Sequence, residues 1–204
     1  NMLDGIAAII GKQPDFYQVD CNDAQALSDV MGRYDDIKAV IHFAASKAVG
    51  ESVEQPLMYY RNNLMSLITL LEQMKAHDIH HIVFSSSCTV YGQPTAEHLP
   101  VDETAPIQTA LSPYGNTKQI NEEIIRDEAH ANSALHATIL RYFNPIGAHP
   151  SAMIGELPNG VPQNLLPFVT QTAAGLRQEL KVFGNDYNTP DGSCIRDYIY
   201  VVDL

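Results

Sequence analysis

A near-continuous apolar run from Ile37 to Ala45 is the feature that most constrains how this chain can fold. Such a run is typical of a strand in a parallel sheet that is buried on both faces. Three further strands alternate with three helices, the strands at 16–20, 81–87 and 136–142 and the helices at about 23–34, 56–76 and 113–130. This alternation at βαβ lengths predicts an α/β fold with a doubly wound parallel sheet.

The character of the sequence changes near residue 148, where prolines and glycines become frequent. A helix is predicted at about 165–176, and short strands are predicted at 181–183 and 195–202. We therefore predict a first domain over residues 1–149. Residues 150–204 are predicted to begin a smaller substrate-binding region, interleaved with the first domain by the returning strand at about 195–202.

The composition excludes several classes of partner. A formal net charge of −12 argues against nucleic acid and against anionic membranes. No apolar run reaches membrane-spanning length, and no signal peptide is visible. The three cysteines, Cys21, Cys88 and Cys194, are far apart and form no C-x-x-C motif. They predict reduced thiols in the cytoplasm and no structural metal site.

Tyr114 and Lys118 are the first candidate catalytic pair. Ser112 and Pro113 predict a helix start, with the serine as cap and the proline in the first helical position. Tyr114 and Lys118 then lie four residues apart on one helical face. An ammonium beside the phenol, in the positive first turn of a helix, favours the phenolate and so predicts a tyrosine that exchanges protons with a hydroxyl group.

The spacing of this pair is not specific by itself. Tyr34 and Lys38 have the same spacing, at the point where a helix gives way to an apolar strand, and we interpret them as surface residues. An isolated Tyr-x-x-x-Lys is more often a solvated helix face than a catalytic site.

The ends of three predicted strands strengthen the case for Tyr114. Small residues and a cation follow one strand at 43–47, the hydroxyls of Ser85–Ser87 end the next, and Asn144 follows a third. Ligands of open α/β sheets bind beyond the carboxyl ends of the strands. We therefore expect these three segments to meet in the crevice that also receives Tyr114.

Six motifs, in order and spacing, resemble the extended short-chain dehydrogenase/reductase superfamily and, within it, the UDP-glucose 4-epimerase (UDP-galactose 4-epimerase) family. They cover nearly the whole chain and lie at 43–52, 59–63, 85–92, 112–118, 140–150 and 183–199. The resemblance implies NAD-dependent epimerisation at C4 of UDP-glucose and UDP-galactose through a transient 4-keto sugar. Tyr114 would be the base for the 4-hydroxyl, Ser87 would hydrogen-bond the 4-oxygen, and Lys118 would lower the pKa of the tyrosine and hold the nicotinamide ribose.

The resemblance also implies binding residues for both ligands. Those for NAD are Asp20, Cys21, Phe43, Ala44, Ala45, Lys47, Asn62, Tyr114, Lys118 and Phe143. Those for the UDP-sugar are Ser87, Tyr114, Asn144, Asn164, Leu165, Lys181, Phe183, Arg196 and Tyr198, with Arg196 at the diphosphate. The family also pairs subunits into a homodimer through two long helices, here about 57–76 and 113–130, although Tyr59, Leu67 and Leu71 there suit a core equally well.

The sequence contains no G-x-G-x-x-G or G-x-x-G-x-x-G turn, which a dinucleotide fold carries after its first strand. We expect this turn, a second diphosphate-binding arginine and the residue that gates sugar size to lie outside these 204 residues. Without the first strand the chain by itself is expected to be poorly stable and inactive.

Three other functions fit the same fold. A nucleotide-sugar 4,6-dehydratase needs an acid and a base just after the hydroxyl residue, where this sequence has Cys88 and Thr89. A decarboxylase or 4-reductase is disfavoured by the Arg141–Pro145 context, by resemblance only. A non-catalytic NAD or sugar-nucleotide sensor is disfavoured because it has no need of Tyr114, Lys118 and Ser87 together.

Overall fold

The computed structural model describes residues 2–158 and 160–204, which form two compact units. The larger unit, Tyr17–Tyr142, is built on a parallel sheet of three strands, β1 (Val40–His42), β2 (His81–Ser85) and β3 (His136–Leu140). The strands lie in the order β1-β2-β3, with Val40 opposite Ile82 and Ile82 opposite Ala137. All three carboxyl ends therefore meet at one edge of the sheet.

Helices connect these strands and cover one face of the sheet. They are α2 (Ala24–Met31), α3 (Val49–Glu54), α4 (Pro56–Ala76) and α5 (Pro113–Ala131). The buried core joins apolar residues of α2, α4 and α5 to β2, namely Met31, Leu67, Leu70, Leu71, Met74, Ile79, Ile82, Phe84, Ile125 and Leu135. Full burial of each larger apolar side chain contributes roughly 1.5–3 kcal/mol. The opposite face is open at Ile41, which is 62% exposed although its strand was predicted to be buried on both faces.

The second unit comprises residues 2–16 and Phe143–Leu204. It contains α1 (Met2–Ile10), β4 (Asn144–Ile146), α6 (Leu165–Ala173) and β5 (Tyr198–Tyr200). Strands β4 and β5 pair in parallel, with Asn144 opposite Tyr198. Residues 1–149 were predicted as one domain, whereas 2–16 and 143–149 group here with the later residues; the functional boundary at 149/150 stays a prediction.

The predicted α/β class with parallel strands is confirmed, and so are the four predicted helices. The strands at 37–45, 81–87, 136–142 and 195–202 are present but shorter. The strands predicted at 16–20 and 181–183 are wrong, because both segments have irregular backbone. A strand needs a neighbour to satisfy its backbone groups, and no described strand pairs with either segment.

Other expectations concern what the chain does not contain. Within residues 2–158 and 160–204, no helix is long and apolar enough to cross a membrane. The same residues include no group of three His, Cys, Asp or Glu side chains that suits a metal ion. Cys21, Cys88 and Cys194 form no disulfide within the part of the chain that the structure describes.

Candidate active site

The first turn of α5 directs Tyr114 at the carboxyl end of β2. Ser112 caps the helix, because its Oγ accepts a hydrogen bond of 3.1 Å from the Gly115 N–H, and Pro113 occupies the first position. Thr117 Oγ1 donates to the Tyr114 carbonyl at 2.7 Å. The predicted cap and helix start are thus confirmed.

Tyr114 is half-buried and lies near the Ser87 side chain, which acts on the pKa of its phenol. Burial, the largest cause, raises the pKa of Tyr114 above its ordinary value of 10.0; the Ser87 side chain lowers it, and nearby Tyr142 and Cys88 raise it. The net direction is opposite to the one predicted. Ser87 itself lies next to β2 and accepts a hydrogen bond of 3.2 Å from the Thr89 N–H.

Lys118 lies one turn further along α5 and is 3% exposed. Its Nζ donates to the Ser85 carbonyl at 2.6 Å and lies 4.9 Å from the Phe84 ring centroid and 5.9 Å from the Tyr114 ring centroid. Burial lowers the pKa of Lys118 to about 8. The ammonium is therefore directed at the strand backbone, which explains why it does not produce the predicted fall in the pKa of Tyr114.

His42 and Glu122 are two buried residues at the site that the sequence interpretation missed. His42 ends β1 and stacks on Phe84, with ring centroids 5.9 Å apart. Burial, with a smaller effect of the Lys118 charge, lowers the pKa of His42 to about 4. The histidine is therefore neutral at physiological pH.

Glu122 is completely buried and holds four hydrogen-bonding groups. Arg141 Nε donates to Oε1 at 2.9 Å and Nη2 to Oε2 at 2.7 Å, while Arg126 Nη2 and Ser86 Oγ donate at 2.7 and 2.6 Å. The signal in the sequence was a glutamate four residues after Lys118, on the same helical face. Only the packing of that face against β2 shows that Glu122 is buried.

The residues predicted to bind the cofactor near β1 are brought together by hydrogen bonds. The Asp20 carboxylate accepts from Asn22, Asn22 Nδ2 donates to Asn62 Oδ1 at 3.1 Å, and Asn62 Nδ2 donates to Ser46 Oγ at 3.0 Å. This chain connects Asp20 and Asn62 to the segment that contains Ala44, Ala45 and Lys47.

Three other predicted cofactor residues have different surroundings. Phe43 is 57% exposed directly after β1. Cys21 is partly buried, and burial, with a smaller effect of Asp20, raises the pKa of its thiol. Phe143 belongs to the second unit and was not brought into this hydrogen-bond chain.

The second unit brings the remaining predicted substrate residues into two groups. Asn144 and Tyr198 lie opposite each other on β4 and β5, and Arg196 precedes β5 with an exposed side chain. The other four, Asn164, Leu165, Lys181 and Phe183, line one cavity of about 620 Å³, together with Phe168 and Arg177. Arg177 stacks on Phe168, 4.8 Å from the ring centroid, so the cavity combines an aromatic wall with two cations.

Comparison with known proteins places the chain in one family. The profile of the NAD dependent epimerase/dehydratase family matches residues 4–204. The chain therefore belongs to the NAD dependent epimerase/dehydratase family.

Particular relatives narrow this class. The chain is 52% identical over 199 residues to the UDP-glucose 4-epimerase of Mus musculus, covering 98% of this chain and 56% of the relative. It is 51% identical over 202 residues to the UDP-glucose 4-epimerase of Bacillus subtilis, covering 99% of this chain and 58% of that protein. The chain thus spans little more than half the length of the curated relatives it matches.

A solved structure agrees with the sequence comparison. The crystal structure of UDP-glucose 4-epimerase from Bifidobacterium longum in complex with NAD+ and UDP superposes with a TM-score of 0.94 at 46% identity, covering 98% of this chain and 59% of that one. The family resemblance inferred from the motifs is confirmed.

Proposed function

We propose that this chain carries the proton-transfer centre of an NAD-dependent epimerase that inverts C4 of UDP-glucose and UDP-galactose. One observation carries the proposal: the Tyr114 ring lies 5.9 Å from the Nζ of buried Lys118 and near the Ser87 side chain, at the carboxyl end of β2. The relatives named above supply the substrate class. A cytoplasmic location stays a prediction, supported by the three cysteines, which form no disulfide within the described residues.

The residues after β1 fit a dinucleotide. Ala44 and Ala45 have small side chains, which let a flat ring approach the backbone. Asn63 fixes the next residue, because its Oδ1 accepts from Ser46 N–H at 2.8 Å and its Nδ2 donates to the Ser46 carbonyl at 3.0 Å. Asp20 and Asn62 would bind the cofactor along this edge, with Lys47 and Lys118 supplying positive charge. NAD, when bound, supplies a reversible hydride acceptor.

Tyr114 Oη is the group that removes a proton from the sugar 4-hydroxyl and later returns it. Ser87 lies beside the same phenol and can hold the sugar oxygen in reach. Because burial raises the pKa of Tyr114, the phenol needs an additional cation beside it before it acts near neutral pH. From the ordinary value of 10.0 a fall of about 3 units is required, which is about 4 kcal/mol of differential stabilisation, and burial adds to this requirement.

The cavity of the second unit suits the nucleotide part of the substrate. Phe168 and Phe183 offer aromatic surfaces for a base, and Lys181 and Arg177 offer cations. Arg196 is proposed to bind the diphosphate, because a planar guanidinium makes paired hydrogen bonds to phosphate oxygens. Asn144, Asn164, Leu165 and Tyr198 are proposed as the remaining contacts.

A dehydratase reaction is the main rival and is not favoured. It needs an acid and a base next to Ser87, where Cys88 and Thr89 occupy a 3₁₀ turn. Neither side chain is a carboxylic acid, so elimination of water across C5 and C6 has no pair of groups here.

The test is conversion of UDP-galactose deuterated at C4 by the intact protein that contains this chain. Hydrogen removed from C4 and returned within one site stays on the sugar, so UDP-glucose is expected with the deuterium still at C4. Loss of the label to water, a 4-keto-6-deoxy product, or no turnover would contradict the proposal.

We also propose that α4 and α5 pair with a second copy of the chain. Their outer face combines Ile68 and Ile124 with the charged side chains of Lys75 and Glu128 around one groove, with the buried Leu71 at its base. Met65 and Leu57 on α4 are 45% and 81% exposed. An apolar stripe with charged neighbours on two packed helices suits a four-helix interface.

A further inference from the structure

We propose that Glu122 is a positioning residue that holds Ser87 against Tyr114, acting through the three serines Ser85–Ser87, here called the serine run. The inference rests on the proposed function, since it concerns the geometry of the same proton-transfer centre. Glu122 touches neither Tyr114 nor Ser87 by any described hydrogen bond, so its effect is transmitted by its neighbours.

Hydrogen bonds from one face of α5 hold this helix against the serine run. Tyr114, Lys118 and Glu122 are spaced four residues apart and lie on one face of the helix. Two of them hold the serine run by hydrogen bonds, Lys118 at the Ser85 carbonyl and Glu122 at the Ser86 hydroxyl, both at 2.6 Å, and Tyr114 lies near the Ser87 side chain. The position of the helix relative to the serine run is therefore fixed at two points, of which Glu122 supplies one.

Glu122 also connects α5 to the other elements around the site by hydrogen bonds. Arg141, which follows β3, binds the carboxylate through two nitrogens, at 2.9 and 2.7 Å. The same guanidinium donates to Tyr91 Oη at 3.3 Å and lies 5.0 Å from the Tyr91 ring centroid, in the 3₁₀ turn after Ser87. Glu122 thus connects α5, the ends of β2 and β3, and the turn that leaves the serine run.

The burial of Glu122 and Arg141 makes the loss of either charge costly. Glu122 is 0% exposed, and the Arg141 side chain is 14% exposed. Removing one member of a buried ion pair leaves the other charge desolvated, and the surrounding groups rearrange to recover partners. Arg141 can do so only by moving relative to Tyr91 and the serine run, which would disturb the position of Ser87.

The consequence appears at Tyr114. The Ser87 side chain lowers the pKa of Tyr114 against the larger effect of burial. The other titratable groups near the phenol are Lys118 on α5, Cys88 after β2, Tyr142 after β3 and Tyr59 on α4. Glu122 hydrogen-bonds Ser86, the residue before Ser87, so we expect a change at Glu122 to reach the phenol through Ser87.

The experiment is a double-mutant cycle of Glu122→Gln and Ser87→Ala in the intact protein, read as kcat, KM and the Tyr114 titration. The titration is measured as phenolate absorbance of each protein minus its Tyr114→Phe counterpart, and it needs no turnover. Glu122→Gln is expected to lower kcat by roughly 10- to 100-fold, with KM within about twofold, and to shift the titration to higher pH. In the Ser87→Ala background the same change is expected to lower kcat less than about twofold further, because both changes remove one interaction.

Two further variants keep the test decisive. Ser86→Ala removes the contact with the serine run and leaves the buried charges paired; it is expected to shift the titration in the same direction by a smaller amount. Arg126→Gln is the matched control, since it removes a half-exposed partner of Glu122 that contacts no other element of the site, and less than a twofold effect is expected.

If Glu122→Gln and Ser87→Ala lower kcat by factors that multiply in the double mutant, Glu122 does not act through Ser87 and the positioning role is overturned. A Tyr114 titration that is unmoved in both Glu122→Gln and Ser86→Ala would overturn it as well. If the wild type fails to convert UDP-galactose, the proposed function fails, and the titration still decides whether Glu122 positions Ser87.

Discussion

Lys118 is a buried ammonium that makes no ion pair within the described residues. It is held instead by the Ser85 carbonyl and the Phe84 ring, and burial lowers its pKa to about 8. Residues of this kind persist at functional sites although they lower stability. The sequence predicted the identity and place of Lys118, but not its burial, because burial depends on how α5 packs against β2.

The variant Lys118→Met tests how the lowered pKa of Lys118 affects the free energy of unfolding. The folded pKa is about 8 against 10.5 in the unfolded chain, so between these values the unfolded state binds more protons. The free energy of unfolding of the wild type therefore rises with pH across this window, by on the order of 3 kcal/mol, and the variant lacks this rise.

The measurement is urea unfolding of both proteins at pH 7 and pH 10.5. The free energy of unfolding of the wild type minus that of Lys118→Met is expected to be larger at pH 10.5 than at pH 7. Parallel pH dependences would show that Lys118 keeps an ordinary pKa in the folded protein.

At the scale of elements, the end of α4 determines where β2 begins. The Ile79 N–H donates to the Met74 carbonyl at 2.8 Å, and Asp78 adopts a φ of 58°, in the left-handed region. This is the Schellman arrangement, which normally uses glycine. It directs Ile79 into the core just before β2 starts.

Asp78→Gly is expected to raise the free energy of unfolding by about 0.5–1 kcal/mol, because glycine adopts this φ without strain. The Asp78–His80 ion pair is exposed, and its loss costs little. Asp29→Gly, in the interior of α2, is the matched control and is expected to lower stability by about 0.5 kcal/mol. Chemical denaturation of both variants measures this, and destabilisation by Asp78→Gly would contradict the strain argument.

Elements with local signals were predictable, and elements that depend on partners were not. The start of α5 follows from Ser112 and Pro113, and that of α4 from Pro56. The strand predicted at 16–20 failed because periodicity indicates a face but not a neighbouring strand. The helix α3 and the strand β4 are too short, at six and three residues, to give a periodic signal.

At the scale of the whole molecule, the proposed dimer gives a direct prediction. Met65→Glu places a charge on the outer face of α4 and is expected to give a monomer by light scattering, because charge is disfavoured at the centre of an interface. Val53→Glu is the control, since Val53 is 62% exposed on α3, outside this face. Dimers in both variants, or monomers in both, would contradict an interface made by α4 and α5.

In the candidate site, too, residues with local sequence signals were predictable and residues that depend on packing were not. Motifs identified Tyr114, Ser87 and Lys118 as candidates, because residue types and spacing are enough to indicate their chemistry. Glu122 and His42 lie outside these motifs, and only the folded chain brings Glu122 together with Arg141 beside the serine run.

The claim on which the account depends is that Tyr114 exchanges the proton of the sugar hydroxyl. The measurement is UDP-galactose turnover and bound NAD in Tyr114→Phe, beside Tyr34→Phe, which alters the other Tyr-x-x-x-Lys pair of the chain. We expect Tyr114→Phe to retain NAD while turnover falls by about two to four orders of magnitude, and Tyr34→Phe to match the wild type. Wild-type turnover in Tyr114→Phe would contradict the account.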